Sequence, residues 1–387
     1  MDKTTSRLYT LPFYLLCASN FLFTASFQML LPELPDYLTS LGGADYKGLI
    51  LALFTLTAGV SRPFSGKLTD TVGRVPIMVF GSLVCVVCSA LYPFLTTIFG
   101  FLMLRLVHGF STGFKPTATS AYVADIVPLE RRGEAMSALG ISGSVGMSIA
   151  PVFGSAITET VGINYMFVFS AVLALLSVLI LVRNMPESHP NPVPFSFNLL
   201  KINRSDLFEP KALPTFIVQI LLAFASGAVL TLSPDLSKHL GIANKGLFFG
   251  VFTFSSLIIR ILANKTSDRR GRVYVLKWSA LAMVIAMVLI AWAHDFNTFM
   301  LAAIFFGFSW GMNTPTLQAW VVDLVPSENR GKGLSTMYIA LEAGIGIGAA
   351  LSQYLYNNQI EYIDLPFYVS GVLAALAIVY LFFHEKK

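Results

Sequence analysis

The chain has 387 residues, of which 55% are hydrophobic and only 12% charged, with a net charge of +5. Ordinary soluble domains carry roughly 25% charged residues, so a soluble globule of this size is excluded and a bilayer is the expected solvent. The positive balance does not point to nucleic acid, because the cations sit in short loops between apolar runs.

Met1 to Arg7 followed by an apolar stretch has the outline of a secretion signal. That stretch runs for about 21 residues, too long for a signal core, and prolines rather than a small-residue cleavage site follow it at Pro32 and Pro35. It reads as an uncleaved first span. With about 20 apolar residues needed to cross a bilayer, spans one to six are predicted at 11–33, 48–66, 76–96, 98–122, 134–158 and 163–183. Residues 184–211 then carry Pro186, Pro190, Pro192, Pro194 and Pro210, a density that favours an extended tether. Spans seven to twelve are predicted at 213–236, 246–263, 273–293, 297–322, 333–356 and 366–384.

The expected architecture is an all-α membrane protein of twelve transmembrane helices. It comprises a six-helix bundle at 1–183, a cytoplasmic linker at 184–211 and a second six-helix bundle at 212–387. With the N-terminus inside, nineteen Lys and Arg fall in cytoplasmic segments, three outside and four within spans. That bias places both termini in the cytoplasm. The expected setting is a bacterial inner membrane, with the chain a multi-pass monomer. Cys17, Cys85 and Cys88 lie inside spans, and Cys85 and Cys88 lack the second pair or the nearby His that a metal or redox site would need. They read as packed thiols, and no metal is expected.

A shift of 198 residues lays Arg62 on Arg260, Lys67 on Lys265, Asp70 on Asp268 and Gly73–Arg74 on Gly271–Arg272. Further on, Gly109 meets Gly307, Gly113 meets Gly311 and Asp125 meets Asp323, while earlier Lys47–Gly48 meets Lys245–Gly246. The period is too long for a solenoid unit. It is half a molecule duplicated in parallel, as in many secondary transporters.

GKLTDTVGR, from Gly66 to Arg74, follows span two, and NKTSDRRGR, from Asn264 to Arg272, follows span eight. The pair resembles the loop signature of the major facilitator superfamily, although Thr71 and Val75 replace frequent cations and Asn264 replaces a glycine. Each loop must reverse the chain sharply, which suits Gly73 and Gly271 to positions with φ > 0. A carboxylate at Asp70 can meet the positive N-terminal end of another helix. The resemblance implies that this helix is span eleven, near Gly331–Ser335, and that Gly66, Asp70, Gly73, Arg74, Asp268, Gly271 and Arg272 form a cytoplasmic gate. The chain is expected to belong to the family's twelve-helix, proton-coupled drug or sugar efflux branch.

Span four carries Arg105, His108, Thr112, Lys115 and Thr119 on one arc of about 80°. Cations at membrane depth normally face a bundle interior or a watery cavity, and the cavity face is the reading taken here. Arg105 with Gly109 and Gly113 resembles the family motif whose arginine is associated with proton coupling. The second-half counterparts of Arg105, His108, Thr112 and Lys115 are Ala303, Phe306, Trp310 and Asn313, so the cavity should be charged on one wall and apolar and amide-bearing on the other. In span five, Gly146, Pro151 and Gly154 partly match an antiporter signature; Ala150, Ser155 and Ser137 depart from it, and close helix packing explains the three equally well.

Glu342 is the acid in the middle of span eleven, where its counterpart is Ser144. It is read as either a proton carrier or an ion-pair partner, with Arg105, His108 and Lys115 completing the coupling set. Glu33 and Asp36, at the outer mouth, are expected to be wet. Asn20, Phe27, Gln28, Thr112, Gln219, Phe306, Trp310 and Asn313 are the candidate substrate-cavity residues. No acid, base, nucleophile or metal set converges, so an enzyme is not expected. The expected activity is alternating-access transport of a small organic solute, without a cofactor and driven by a proton gradient. Proton-coupled efflux of an anionic, zwitterionic or amphipathic compound leads; uptake of a sugar or organic anion, or a non-transporting receptor or enzyme on the same fold, are the alternatives. Expected partners are the solute, protons and the lipid bilayer.

Overall fold

Proline and glycine set most helix boundaries. In the computed structural model, residues 10–128, 131–201, 208–326 and 329–384 are described, apart from the side chains at 132, 133, 261–265, 268 and 330. The described residues form thirteen α-helices and no strand: α1 (Leu11–Gln28), α2 (Leu34–Ser40), α3 (Lys47–Thr69), α4 (Arg74–Leu91), α5 (Ile98–Ile126), α6 (Arg132–Val161), α7 (Ile163–Asn184), α8 (Leu213–His239), α9 (Gly246–Arg270), α10 (Arg272–Ala291), α11 (Phe296–Leu324), α12 (Arg330–Tyr356) and α13 (Leu365–His384). Each predicted span falls on one long helix. By length and composition eight of these helices are apolar enough to cross a membrane; α1, α5, α9 and α11 are not among the eight.

Span one ends earlier than expected, at Gln28 rather than residue 33, and α2 follows as a separate short helix. Pro32 has no N–H for the carbonyl of Gln28 and its ring crowds that turn, so α1 stops; Pro35 then sits in the first turn of α2, where a proline is tolerated. Gly73 and Gly271 take φ of +126° and +91° just before α4 and α10, as the loop reversals require. Thr97 and Asp295, one period apart, cap α5 and α11 by accepting the backbone N–H of Gly100 and Thr298.

The packing is duplicated along with the sequence. α5 packs on α3 and α4, as α11 packs on α9 and α10; α1 packs on α6 and α7, as α8 packs on α12 and α13. The two groups meet through α3 against α12 and α6 against α9. Their outer faces are apolar: Val168, Val172, Leu175, Leu179 and Val182 on α7 and Val372, Leu376, Val379 and Phe383 on α13 are exposed. Such continuous apolar surface suits lipid rather than water.

The cores of the groups differ. α8–α13 share one continuous buried cluster that includes Phe248, Phe299, Phe306 and Leu317. The first group has one cluster at the linker end around Phe13, Tyr122 and Leu181, and another at the opposite end around Met29, Tyr92 and Phe167. Between them lies a small cluster of Phe23, Cys85 and Ala174, at the level where α5 carries its polar residues.

The proline-rich linker is docked, not a free tether. Glu187 accepts the backbone N–H groups of both Arg74 and Val75 at 2.9 Å, capping α4, while Val193 N–H donates to the Thr71 carbonyl at 2.9 Å.

Candidate functional site

The polar arc of α5 does not face the seam between the groups. Lys115 is fully buried among α1, α4 and α7: its Nζ donates to the Ser19 carbonyl and hydroxyl at 3.1 Å and to the Ser177 hydroxyl, and lies 4.5 Å from the centre of the Phe23 ring. Arg105 is likewise sealed. Its Nε donates to the Ile50 carbonyl at 3.0 Å, an amino group reaches the Tyr92 hydroxyl at 3.2 Å, and the guanidinium sits 4.5 Å above the Phe54 ring. His108 completes the layer, 3.1 Å from the Tyr92 hydroxyl and 3.3 Å from Cys85 Sγ. This corrects the expected cavity wall of cations. Helical spacing placed these residues on one face, but that face is turned into the first group, where hydroxyls, carbonyls and rings satisfy them. Thr112, half-buried, donates back to the Gly109 carbonyl.

Glu342 does reach the seam. Its carboxylate accepts from Arg62 of α3 at 3.1 Å, joining the two groups, with both side chains nearly buried. The Arg62 guanidinium also stacks 4.8 Å from the centre of the Tyr338 ring on α12. Arg260, the repeat partner of Arg62, faces α6: its amino group lies 3.7 Å from where a β-carbon on Gly140 would sit. The motif reading missed both arginines as site residues. The signal was present in the duplication, which repeats an arginine at one register inside two apolar helices.

The other candidates are scattered. Asn20 donates to the Leu139 carbonyl and Ser142 hydroxyl, each at 3.1 Å, tying α1 to α6. Phe27 stacks on Phe54 at 6.4 Å, and Gln28 ends α1, half-buried. Phe306 is fully buried beside Trp310 at 6.1 Å. Gln219 and Asn313 are buried with carboxamide oxygens that have no protein partner. Gly146 and Gly154 bring α6 against the backbone of α1, and Pro151 presents its carbonyl to Gly246 of α9.

At the end away from the linker, ion pairs clamp the groups together. Lys47 at the start of α3 pairs with Asp235 of α8 at 2.6 Å, and Lys245 at the start of α9 pairs with Asp36 at 2.7 Å and Glu33 at 3.0 Å. Lys47 and Lys245 are repeat partners, and Pro234–Asp235 lies one residue beyond the repeat register of Pro35–Asp36, so the two bridges are approximately pseudosymmetric and crossed. Glu33 is therefore not wet as expected. It is 4% exposed and also accepts from the Ser155 hydroxyl at 2.6 Å. Burial works against the Asp36 carboxylate, but its hydrogen bond to Lys245 and the charges of Lys245, Lys238 and Lys47 outweigh it and hold the pKa below its usual value. Burial also opposes the Lys245 charge, and Glu33 and Asp36 more than offset it, raising that pKa.

At the linker end the expected latch is not made. The Asp70 carboxylate is 72% exposed and pairs with Arg74 at 2.9 Å, and Arg74 in turn pairs with Asp125 at 3.0 Å. Arg272 pairs with Asp323 at 2.9 Å in the same way; the Asp268 side chain lies outside the described residues. A β-carbon added to Gly66 or Gly331 would meet nothing within 4 Å, so the space beside the ends of α3 and α12 is open here.

The sequence profile described as the Major Facilitator Superfamily matches residues 16–242 and 215–387. Multidrug resistance protein 2 of Bacillus subtilis is 25% identical over 100% of this chain and 98% of its own length. The multi-drug resistance efflux pump PmrA of Streptococcus pneumoniae is 27% identical over 79% of each chain. Among solved structures, a D-xylose-proton symporter shares the fold with a TM-score of 0.79, at 18% identity, covering 95% of this chain and 96% of its own.

Proposed function

The chain belongs to the Major Facilitator Superfamily, and on that premise we propose that it is a proton-coupled exporter of small amphipathic solutes. Transport rather than catalysis is the activity of the family. Export is supported by the relatives, two of which are named for multidrug resistance or efflux. In this reading all twelve long helices cross the inner membrane of a bacterium, both termini are cytoplasmic, and the protein works as a monomer. The clamped end then faces outside, and the conformation is open to the cytoplasm.

The Arg62–Glu342 pair carries the coupling proposal. It is formed between the two groups, so the charge of Glu342 is tied to how they meet. An ion pair needs the ionised carboxylate, and closing it in the inward-open state goes with release of a proton to the cytoplasm. In the outward-open state the groups rock about the seam, the pair is pulled apart and Glu342 takes a proton from outside. The cycle runs protons inward and solute outward.

Everted vesicles test this. An interior-acid gradient should drive amphipathic dyes inward in vesicles carrying the wild-type protein, and dissipating the gradient should stop it. Absence of gradient-dependent movement across a broad dye panel would refute the reading.

A further inference from the structure

Among the span cations on α3, α5 and α9, Arg105 and Lys115 are sealed within the first group, which leaves Arg62 and Arg260 at the seam. The two are repeat partners with different surroundings. Arg62 has the Tyr338 ring to stack on and the Glu342 carboxylate to bind, although its Nε, like that of Arg260, is buried without a hydrogen-bond partner. The repeat partner of Tyr338 is Gly140, and the repeat partner of Glu342 is Ser144. On the Arg260 side the duplication has thus exchanged a ring for no side chain at all, and a carboxylate for a hydroxymethyl group.

The geometry follows the substitution. Arg260 lies over Gly140, at 3.7 Å from the missing β-carbon, as Arg62 lies over Tyr338. Its Nε is buried with no hydrogen-bond partner, and among the described residues no carboxylate pairs with it. Both arginines reach across the seam, Arg62 from α3 to α12 and Arg260 from α9 to α6. A guanidinium is a planar fork of donors that binds carboxylates in two places and stacks on rings.

We infer that Arg260 is the anchor of a ligand subsite for aromatic or similarly flat apolar carboxylates. The ligand supplies what Tyr338 and Glu342 supply to Arg62: a planar apolar body over Gly140 and an anionic group on the guanidinium. This rests on the transporter reading and narrows it, placing the anion recognition on α9 and α6 rather than on α5.

Benzoate is the probe, with benzamide as its neutral isostere and benzylammonium as its cationic one, added to the full-length protein in detergent. Melting temperature reports binding, since a ligand of the folded state raises it. Benzoate should stabilise the wild type and the other two should not. Arg260→Gln should bind benzoate at least about tenfold more weakly, because a buried charge-assisted contact is lost. If Arg260→Gln does not fold, Arg260→Lys, which keeps the charge but not the fork, should show the weakening. The double change Gly140→Tyr with Ser144→Glu rebuilds the Arg62 environment in place; it should raise the melting temperature without ligand and abolish the benzoate response. Equal responses to benzoate and benzamide, or an Arg260 variant that binds benzoate like wild type, would overturn the subsite. Benzoate binding without gradient-driven transport would leave the subsite standing and sink the exporter reading; dye transport with no benzoate preference would do the reverse.

Discussion

An amine in the middle of a membrane helix must be satisfied by water or by a set of hydrogen-bond acceptors. Lys115 has the second, in Ser19, Ser177 and the Phe23 ring, all within its own half. Glu342 has an ion-pair partner from the opposite half. The two should therefore respond differently to neutral replacement. Lys115→Met removes the amine's hydrogen bonds and the cost of burying a polar group together, so stability should shift by no more than about 1–3 kcal/mol while gradient-driven transport persists. Glu342→Gln should abolish gradient-driven transport while leaving solute binding. It also strands the buried Arg62, at a cost of about 3–5 kcal/mol, which a melting curve would show; Arg62→Gln with Glu342→Gln should recover most of that stability and none of the coupling. Transport in Lys115→Met that fails while Glu342→Gln works normally would reverse the assignment. At this scale the sequence was half legible. Spacing along α5 put Arg105, His108 and Lys115 on one face, but periodicity does not say which neighbour a face meets, and here it met α1, α3, α4 and α7.

The helices themselves were legible because hydropathy, proline and glycine all act locally. α2 was missed because it is only seven residues long and, with Asp36, Thr39 and Ser40, lies beyond the apolar run that Pro32 ends. Less legible was how helix ends meet across the molecule. The crossed bridges Lys47–Asp235 and Lys245–Asp36 join residues far apart in the chain, and only the repetition of Lys–Gly and Pro–Asp hinted at them. Their pH dependence is fixed by the shifts described. Asp36, with its pKa depressed in the clamp, favours the clamped state above the ordinary carboxylate value near 3.9 and loses that contribution as pH falls through its lower value. Lys245, with its pKa raised, contributes below its ordinary value near 10.4 and loses it as pH rises through the higher one. Between about pH 5 and 9 the Asp36–Lys245 pair is charged on both sides, and spin-label distances across this end should not change through that pair; a transition near pH 6 that survives Glu342→Gln would contradict this. Packing should matter more than protons here. A β-carbon on Gly246 would run into the Pro151 carbonyl, and one on Gly48 would lie 2.5 Å from the Ala349 carbonyl. Gly246→Val should therefore wedge the clamped end apart, lengthening the mean distance across it and lowering transport, with the fold intact.

At the scale of the whole molecule, the duplication could be read from Arg62, Asp70, Gly73 and their partners, and the duplicated packing follows it helix by helix. Conformation could not be read, because hydropathy and charge along the chain do not say which helix ends are close; the Asp70 contact expected at the start of α12 is not made in this structure, where Asp70 pairs with Arg74. Orientation is an expectation that rests on charge alone: nineteen cations in segments expected to be cytoplasmic against three expected outside. Asn191 in the linker and Asn297 at the start of α11 are exposed at opposite ends of the molecule. Single cysteines at these positions, in a background with Cys17, Cys85 and Cys88 replaced, offer a direct reading from intact cells. An impermeant thiol reagent should label the cysteine at position 297 and spare that at 191 until the cells are opened. Labelling of 191 alone would invert the protein in the membrane. The clamped end would then face the cytoplasm, the pair Arg62–Glu342 would close in the outward-open state, and proton release on closing that pair would run outward, incompatible with a cycle driven by proton entry.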